Sequence, residues 1–166
     1  QGVPFYIRTG KMMPTKVTEI VVHFKPTPHR MFTTIDGETI PNQLIIRIQP
    51  NEGISLKFAA KVPGSGFEVK RVSMNFTYDQ LGGIASGDAY SRLLEDCMLG
   101  DPTLFTRMSW RFFDPILSSW QEEDFPLYGY PAGTWGPKQS DTIIDREHSW
   151  TNPCRNLTNS ELYCEL

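Results

Sequence analysis

Hydrophobic and polar positions alternate with period two through the first half of the chain. In residues 17–25 (VTEIVVHFK), Ile20, Val22 and Phe24 share one side, while Glu19, His23 and Lys25 share the other. Residues 43–49 (QLIIRIQ) set Leu44, Ile46 and Ile48 against Ile45, Arg47 and Gln49. Residues 54–61 (ISLKFAAK) set Ile54, Leu56 and Phe58 against Ser55 and Lys57, and residues 68–78 align Val72, Met74, Phe76 and Tyr78. Pro, Gly and Asn punctuate the gaps. Period-two runs bounded by turn residues predict four strands of a mainly antiparallel sheet, half covered on its apolar side.

The period then lengthens. Residues 88–99 place Tyr90, Leu93, Leu94 and Cys97 on one helical stripe, with Asp88 as the expected N-cap. A second helix is predicted over 109–121, with Trp110, Phe113, Leu117 and Trp120 on one side and a kink or break at Pro115. Strands followed by helices predict an α+β fold: a large, mainly antiparallel sheet with helices packed on one face. Residues 125–137 (FPLYGYPAGTWGP) read as an ordered loop, and 138–149 as a short helix ending at His148. The domain is expected to span residues 1–150, with a polar tail, 151–166, that frays.

Composition narrows the classes of function. A length of 166 residues fits one domain. A net charge of −3 leaves no basic excess for a nucleic-acid partner. No apolar run approaches the roughly 20 residues of a membrane span. The chain opens on Gln1-Gly2-Val3-Pro4-Phe5 without an initiator Met, so it reads as a fragment. Three cysteines without a CxxC pair favour neither a zinc site nor a disulfide framework. Cys97 reads as a small core residue, and Cys154 and Cys164 as thiols in a reducing, cytoplasmic setting, with a disulfide in the tail as the less favoured alternative. His23, His29 and His148 lack a carboxylate or second ligand at metal spacing, so no metal is expected. There is no P-loop, GxGxxG or nucleophile elbow.

Candidate chemistry concentrates in residues 8–16 (RTGKMMPTK), where Arg8, Lys11 and Lys16 surround Gly10 and Pro14. In a straight strand, Lys11 and Lys16 would face opposite sides; a bend at Met13-Pro14 lets both reach one anion. Two ammonium groups on one point suit a phosphate dianion. Spacing alone favours the plainer reading, a solvated basic turn. Arg47 and Gln49 share a strand face from which both could reach a polar ligand, and a plain solvent-facing side fits them as well.

A resemblance separates these readings. Residues 2–11 (GVPFYIRTGK) resemble the GVPFYxRTGK signature of glucose-6-phosphate dehydrogenases. The similarity continues in order through 18–26 (TEIVVHFKP), 46–52 (IRIQPNE), 88–94 (DAYSRLL), 100–105 (GDPTLF), 114–117 (DPIL) and 130–137 (YPAGTWGP). It implies an enzyme that oxidises C1 of glucose 6-phosphate to a lactone and passes hydride to NADP. It implies Lys11 and Lys16 as substrate ligands and Gln49 nearby. It implies an N-terminal Rossmann domain carrying the cofactor and a histidine base, neither within this chain. The sheet would then form a homodimer or tetramer interface. A non-catalytic sugar-phosphate-binding or dimerisation module of the same ancestry is the alternative. Val17, Ser55 and Trp135 replace basic and aromatic residues with which some animal members hold a second, structural NADP, so none is expected here. About five residues usual in the family between Arg107 and Trp110 are also missing.

Overall fold

The computed structural model describes residues 2–26, 41–64, 66–81, 89–105, 107–122, 124–145 and 148–157. The chain divides into two compact units, one from residues 1–83 with 129–166 and one from residues 84–128. The fold is α+β.

The first unit is built on four strands: β1 (Thr18–His23), β2 (Gln43–Gln49), β3 (Gly53–Lys61) and β4 (Val69–Thr77). They pair antiparallel in the order β1-β2-β3-β4, a plain meander. The alternation therefore reports the strands, with boundaries moved by one or two residues. Register makes ladders of the apolar positions: Ile20 faces Ile46, Ile46 faces Ile54, and Ile54 faces Phe76. Val22, Leu44, Leu56 and Met74 form the next row. The β1–β2 register shifts between Thr18 and Glu19, a bulge that sets Thr18 opposite Gln49. The β2–β3 turn carries a cis Gln49–Pro50 bond and Asn51 at φ 57°.

Burial reverses the expectation from polarity. Ile20, Val22, Ile54 and Met74 are exposed, whereas Arg47 and Ser55 on the opposite face are 3% and 0% accessible. The cover on that opposite face is the C-terminal segment. Leu157, 7% accessible, lies over Gly53, where an added Cβ would come within 2.9 Å of Leu157 Cδ2 and 2.5 Å of the Phe76 carbonyl oxygen. Only a glycine admits both neighbours this closely. The expected fraying of the tail is thus corrected for residues 151–157, which are docked; the rest lies outside the described residues. Cys154 is also disulfide-bonded rather than a free thiol.

The second unit contains α1 (Ala89–Leu99) and α2 (Arg107–Glu122). The N-cap expected at Asp88 lies outside the described residues. Helix α1 ends where Gly100 takes φ 70° and the Asp101 amide donates to the Asp96 carbonyl at 2.9 Å, a Schellman closure. Helix α2 runs on through Pro115 without a break. Cys97 is exposed, not a core residue. Tyr90, Leu94, Trp110 and Trp120 are exposed too, because an apolar stripe is buried only where another element meets it. Asp96 is the buried residue of α1, with Arg92 Nε 3.1 Å from its Oδ1. Residues 125–137 form the expected loop, and the short helix predicted over 138–149 is a 3-10 segment, Lys138–Ile143.

Candidate functional site: a clamped basic loop

Residues 8–16 are irregular, as Gly10 and Pro14 dictate. The chain bends at Lys11–Met12 and again at Pro14–Thr15, with Met12 at φ 55°. The bend is therefore present, spread around Met13 rather than confined to Met13-Pro14. Two contacts from the 130–133 turn hold the loop backbone. The Tyr130 hydroxyl donates to the Lys11 carbonyl at 2.8 Å, and the Gly133 amide donates to the Met12 carbonyl at 2.7 Å. A Cβ on Gly10 would stand 2.6 Å from Met13 Cε and 2.9 Å from the Tyr130 hydroxyl, so a larger residue there would have to displace one of these side-chain ends, the second of them part of the clamp.

The side chains of Lys11 and Lys16 are exposed. Among the described residues, neither ammonium has a carboxylate partner. The loop thus presents two cations, uncompensated among the described residues, on a backbone held by Tyr130 and Gly133. Gln49 is exposed at the end of β2, and its Nε2 donates to Thr18 Oγ1 at 3.2 Å. Thr18 opens β1, two residues beyond Lys16, so the bulge sets Gln49 beside the exit of the basic loop.

Arg47 is not available to a ligand. Its Nε donates to Glu19 Oε2 at 3.0 Å, Nη1 to the Arg155 carbonyl at 3.0 Å and Nη2 to the Cys154 carbonyl at 2.8 Å. Its guanidinium fork is spent on holding the C-terminal segment to the sheet. The ligand role considered for Arg47 is corrected accordingly, because a buried guanidinium with these partners is a structural post.

Residues that spacing did not single out surround the loop's entry. The Arg8 guanidinium lies 4.9 Å from the Trp135 ring centroid and 4.9 Å from that of Trp150. Its Nη2 donates to Asn152 Oδ1 at 2.8 Å and to the Thr151 carbonyl at 3.3 Å. Burial lowers the Arg8 pKa below that of a free guanidinium, and Asp141 opposes that shift. His148 does have a carboxylate, Asp145, whose other oxygen accepts from the Tyr6 hydroxyl at 3.1 Å. His29 lies outside the described residues. In the sequence, Trp135 reads as packing in the Pro- and Gly-rich stretch and as a departure from the family's structural-NADP residues, and Trp150 does not stand out; their pairing across Arg8 joins three separate stretches of chain. Ser55 bonds Asn75 Oδ1 at 2.7 Å. Among the described residues, no group of three or more His, Cys, Asp or Glu could hold a metal ion. No described helix is long and apolar enough to cross a membrane.

Comparison with known proteins accords with this geometry. A family model described as glucose-6-phosphate dehydrogenase, C-terminal domain, matches residues 1–151. The chain is 51% identical over 158 residues to the glucose-6-phosphate 1-dehydrogenase of Aggregatibacter actinomycetemcomitans, covering 92% of this chain and 31% of that protein. The corresponding protein of Treponema pallidum is 45% identical over 172 residues, covering 99% of this chain and 33% of the relative. Among solved structures, a glucose-6-phosphate dehydrogenase in complex with its substrate glucose-6-phosphate aligns with a TM-score of 0.68 and 32% identity, covering 87% of this chain and 30% of that one. The chain spans about a third of the length of these curated relatives.

Proposed function

The chain belongs to the glucose-6-phosphate dehydrogenase family, as its C-terminal domain, and from that premise we propose that it supplies the substrate-phosphate site of the oxidoreductase. The whole protein then oxidises C1 of glucose 6-phosphate to the lactone with NADP as hydride acceptor. The cofactor and the proton-accepting histidine are assigned to a Rossmann domain outside residues 1–166. This chain's own residues bind and orient: Lys11 and Lys16 donate to the phosphate oxygens, and the Gln49 amide reaches the sugar side.

The observation that carries the reading is the pair of exposed ammonium groups, without a carboxylate partner among the described residues, on a loop whose backbone Tyr130 and Gly133 hold. A preordered loop does not have to lose its freedom when the anion arrives. The open apolar face of the sheet, with Ile20, Ile54 and Met74 exposed, supports self-association through the sheet as a homodimer or tetramer.

Steady-state kinetics of the full-length protein test the phosphate role. A charge-assisted hydrogen bond contributes about 1.5–3 kcal/mol, so Lys11→Ala is expected to raise KM roughly 10- to 100-fold with a smaller change in kcat. An unchanged KM removes Lys11 from the site. The isolated chain is expected not to reduce NADP in the presence of glucose 6-phosphate.

A further inference from the structure

The entry to the basic loop is tied down more elaborately than a surface arginine requires. Arg8 precedes Lys11 by three residues and is sandwiched between the indoles of Trp135 and Trp150. The Trp150 ring is itself placed by neighbouring contacts. Trp150 Nε1 donates to the Ser140 carbonyl at 3.2 Å, and the Tyr6 ring meets Trp150 edge-on with centroids 6.2 Å apart. Trp135 follows the turn whose Gly133 amide holds Met12. Arg8 also donates to Asn152 and Thr151, beyond Trp150. A half-buried guanidinium between two aromatic faces is held by its plane as well as its charge.

We infer that Trp135, Arg8 and Trp150 form a positioning stack that sets the basic loop, and with it the selectivity for a phosphorylated sugar over the same sugar without phosphate. The inference rests on the reading of Lys11 and Lys16 as phosphate ligands. The backbone path explains the coupling. Only Thr9 and Gly10 separate Arg8 from Lys11, and Tyr130 and Gly133 clamp the carbonyls of Lys11 and Met12. The stack fixes one end of this short span and the turn fixes the other. Displacing the Arg8 end moves the Lys11 ammonium relative to the strand that carries Gln49. A shift of about 1 Å at a ligand-positioning group costs up to about a hundredfold in rate or binding. Arg8, Trp135 and Trp150 touch no substrate in this account; they act through Lys11 and Lys16.

The test compares glucose 6-phosphate with glucose as substrates of the full-length protein. Arg8→Gln and Trp150→Leu are expected to raise KM for glucose 6-phosphate about tenfold while kcat changes less than about threefold. For glucose, which offers the lysines nothing to bind, kcat/KM is expected to stay at the wild-type value. Arg8→Lys keeps the charge without the planar fork and falls between. Trp135→Leu serves as an independent variant should Trp150→Leu fail to fold, because it leaves the C-terminal segment intact. An equal fall in kcat/KM for both sugars would show general loss of structure and overturn the inference. If Lys11→Ala abolishes the preference for the phosphorylated sugar and the stack variants keep it, the stack is overturned and the phosphate site stands. If Lys11→Ala also keeps the preference, the phosphate reading falls and takes the stack with it.

Discussion

On one face of the sheet sit Glu19, Arg47 and Ser55; on the other sit Ile20, Ile46 and Ile54. The polar set is sealed and the apolar set is largely open. Arg47 and Glu19 side chains are 1% and 8% accessible, whereas Ile20 and Ile54 are 49% and 41% accessible. The difference lies in what crosses each face. Residues 151–157 run over the polar side and meet three strands in turn: Thr151 contacts His23 on β1, Cys154 and Arg155 accept from Arg47 on β2, and Leu157 lies over Gly53 on β3. A segment without secondary structure has backbone carbonyls to satisfy, so it selects a face with donors. An apolar face offers it none. Here polarity marks the side prepared for an irregular segment of the same chain, and hydrophobicity marks the side left for an element of regular shape.

Substitutions at the post should separate the two faces most sharply. Arg47→Met leaves Glu19 buried without its partner and two carbonyls without a donor, and is expected to destabilise the chain by about 3–5 kcal/mol in urea titrations. Arg47→Met combined with Glu19→Leu removes both charges and should recover most of that loss. A double variant as unstable as the single one would show that the carbonyl contacts, not the ion pair, dominate. Leu157→Ala is the next test. It opens the cover over Gly53 and is expected to cost about 2 kcal/mol, the low end for a buried leucine, since one side of the site borders solvent. On the open face, Met74 is 64% accessible. Met74→Ser should change unfolding of the monomer by no more than about 0.5 kcal/mol. Were Met74→Ser to cost as much as Leu157→Ala, the excess would report the self-association proposed for this face.

These contrasts show how far sequence reasoning carries. Alternation at 43–49 reproduces β2 residue for residue, and the helices are found within two residues of their ends. Local periodicity is a property of the segment itself, so it survives translation into structure. Which face becomes buried is a property of the partner, and nothing local to Arg47 reveals that residues 154 and 155 return to it more than a hundred positions later. The same limit hid the Arg8 stack, whose members stand at 8, 135 and 150. Lys11, Lys16 and Gln49 stand as candidates because a resemblance named them; spacing alone left a basic turn and a strand side. The structure adds the reason the turn is ordered, which is the hydroxyl of Tyr130 and the amide of Gly133.

The smallest expected effect concerns pH, at the first contact between the sheet and the C-terminal segment. His23 Nε2 lies 2.9 Å from Thr151 Oγ1. Burial, and then the nearby His148, lower the His23 pKa from its ordinary 6.5. The folded chain therefore favours the neutral ring, and the unfolded chain takes up the proton first as pH falls. Stability from this group is fully present above about pH 6.5 and is lost as pH falls from there through the depressed folded value. The urea midpoint is expected to decline between pH 7.5 and pH 5.5 by a part that His23→Gln abolishes. The glutamine amide keeps a group able to bond the Thr151 hydroxyl but does not titrate. His148 and its partner Asp145 remain in both proteins, as does Arg8 on the Thr151 carbonyl, so the difference between the two pH profiles reports His23 together with its coupling to His148. Parallel profiles would mean that protonation of His23 leaves the docked segment in place, and that Arg47 and Leu157 suffice to hold the polar face closed.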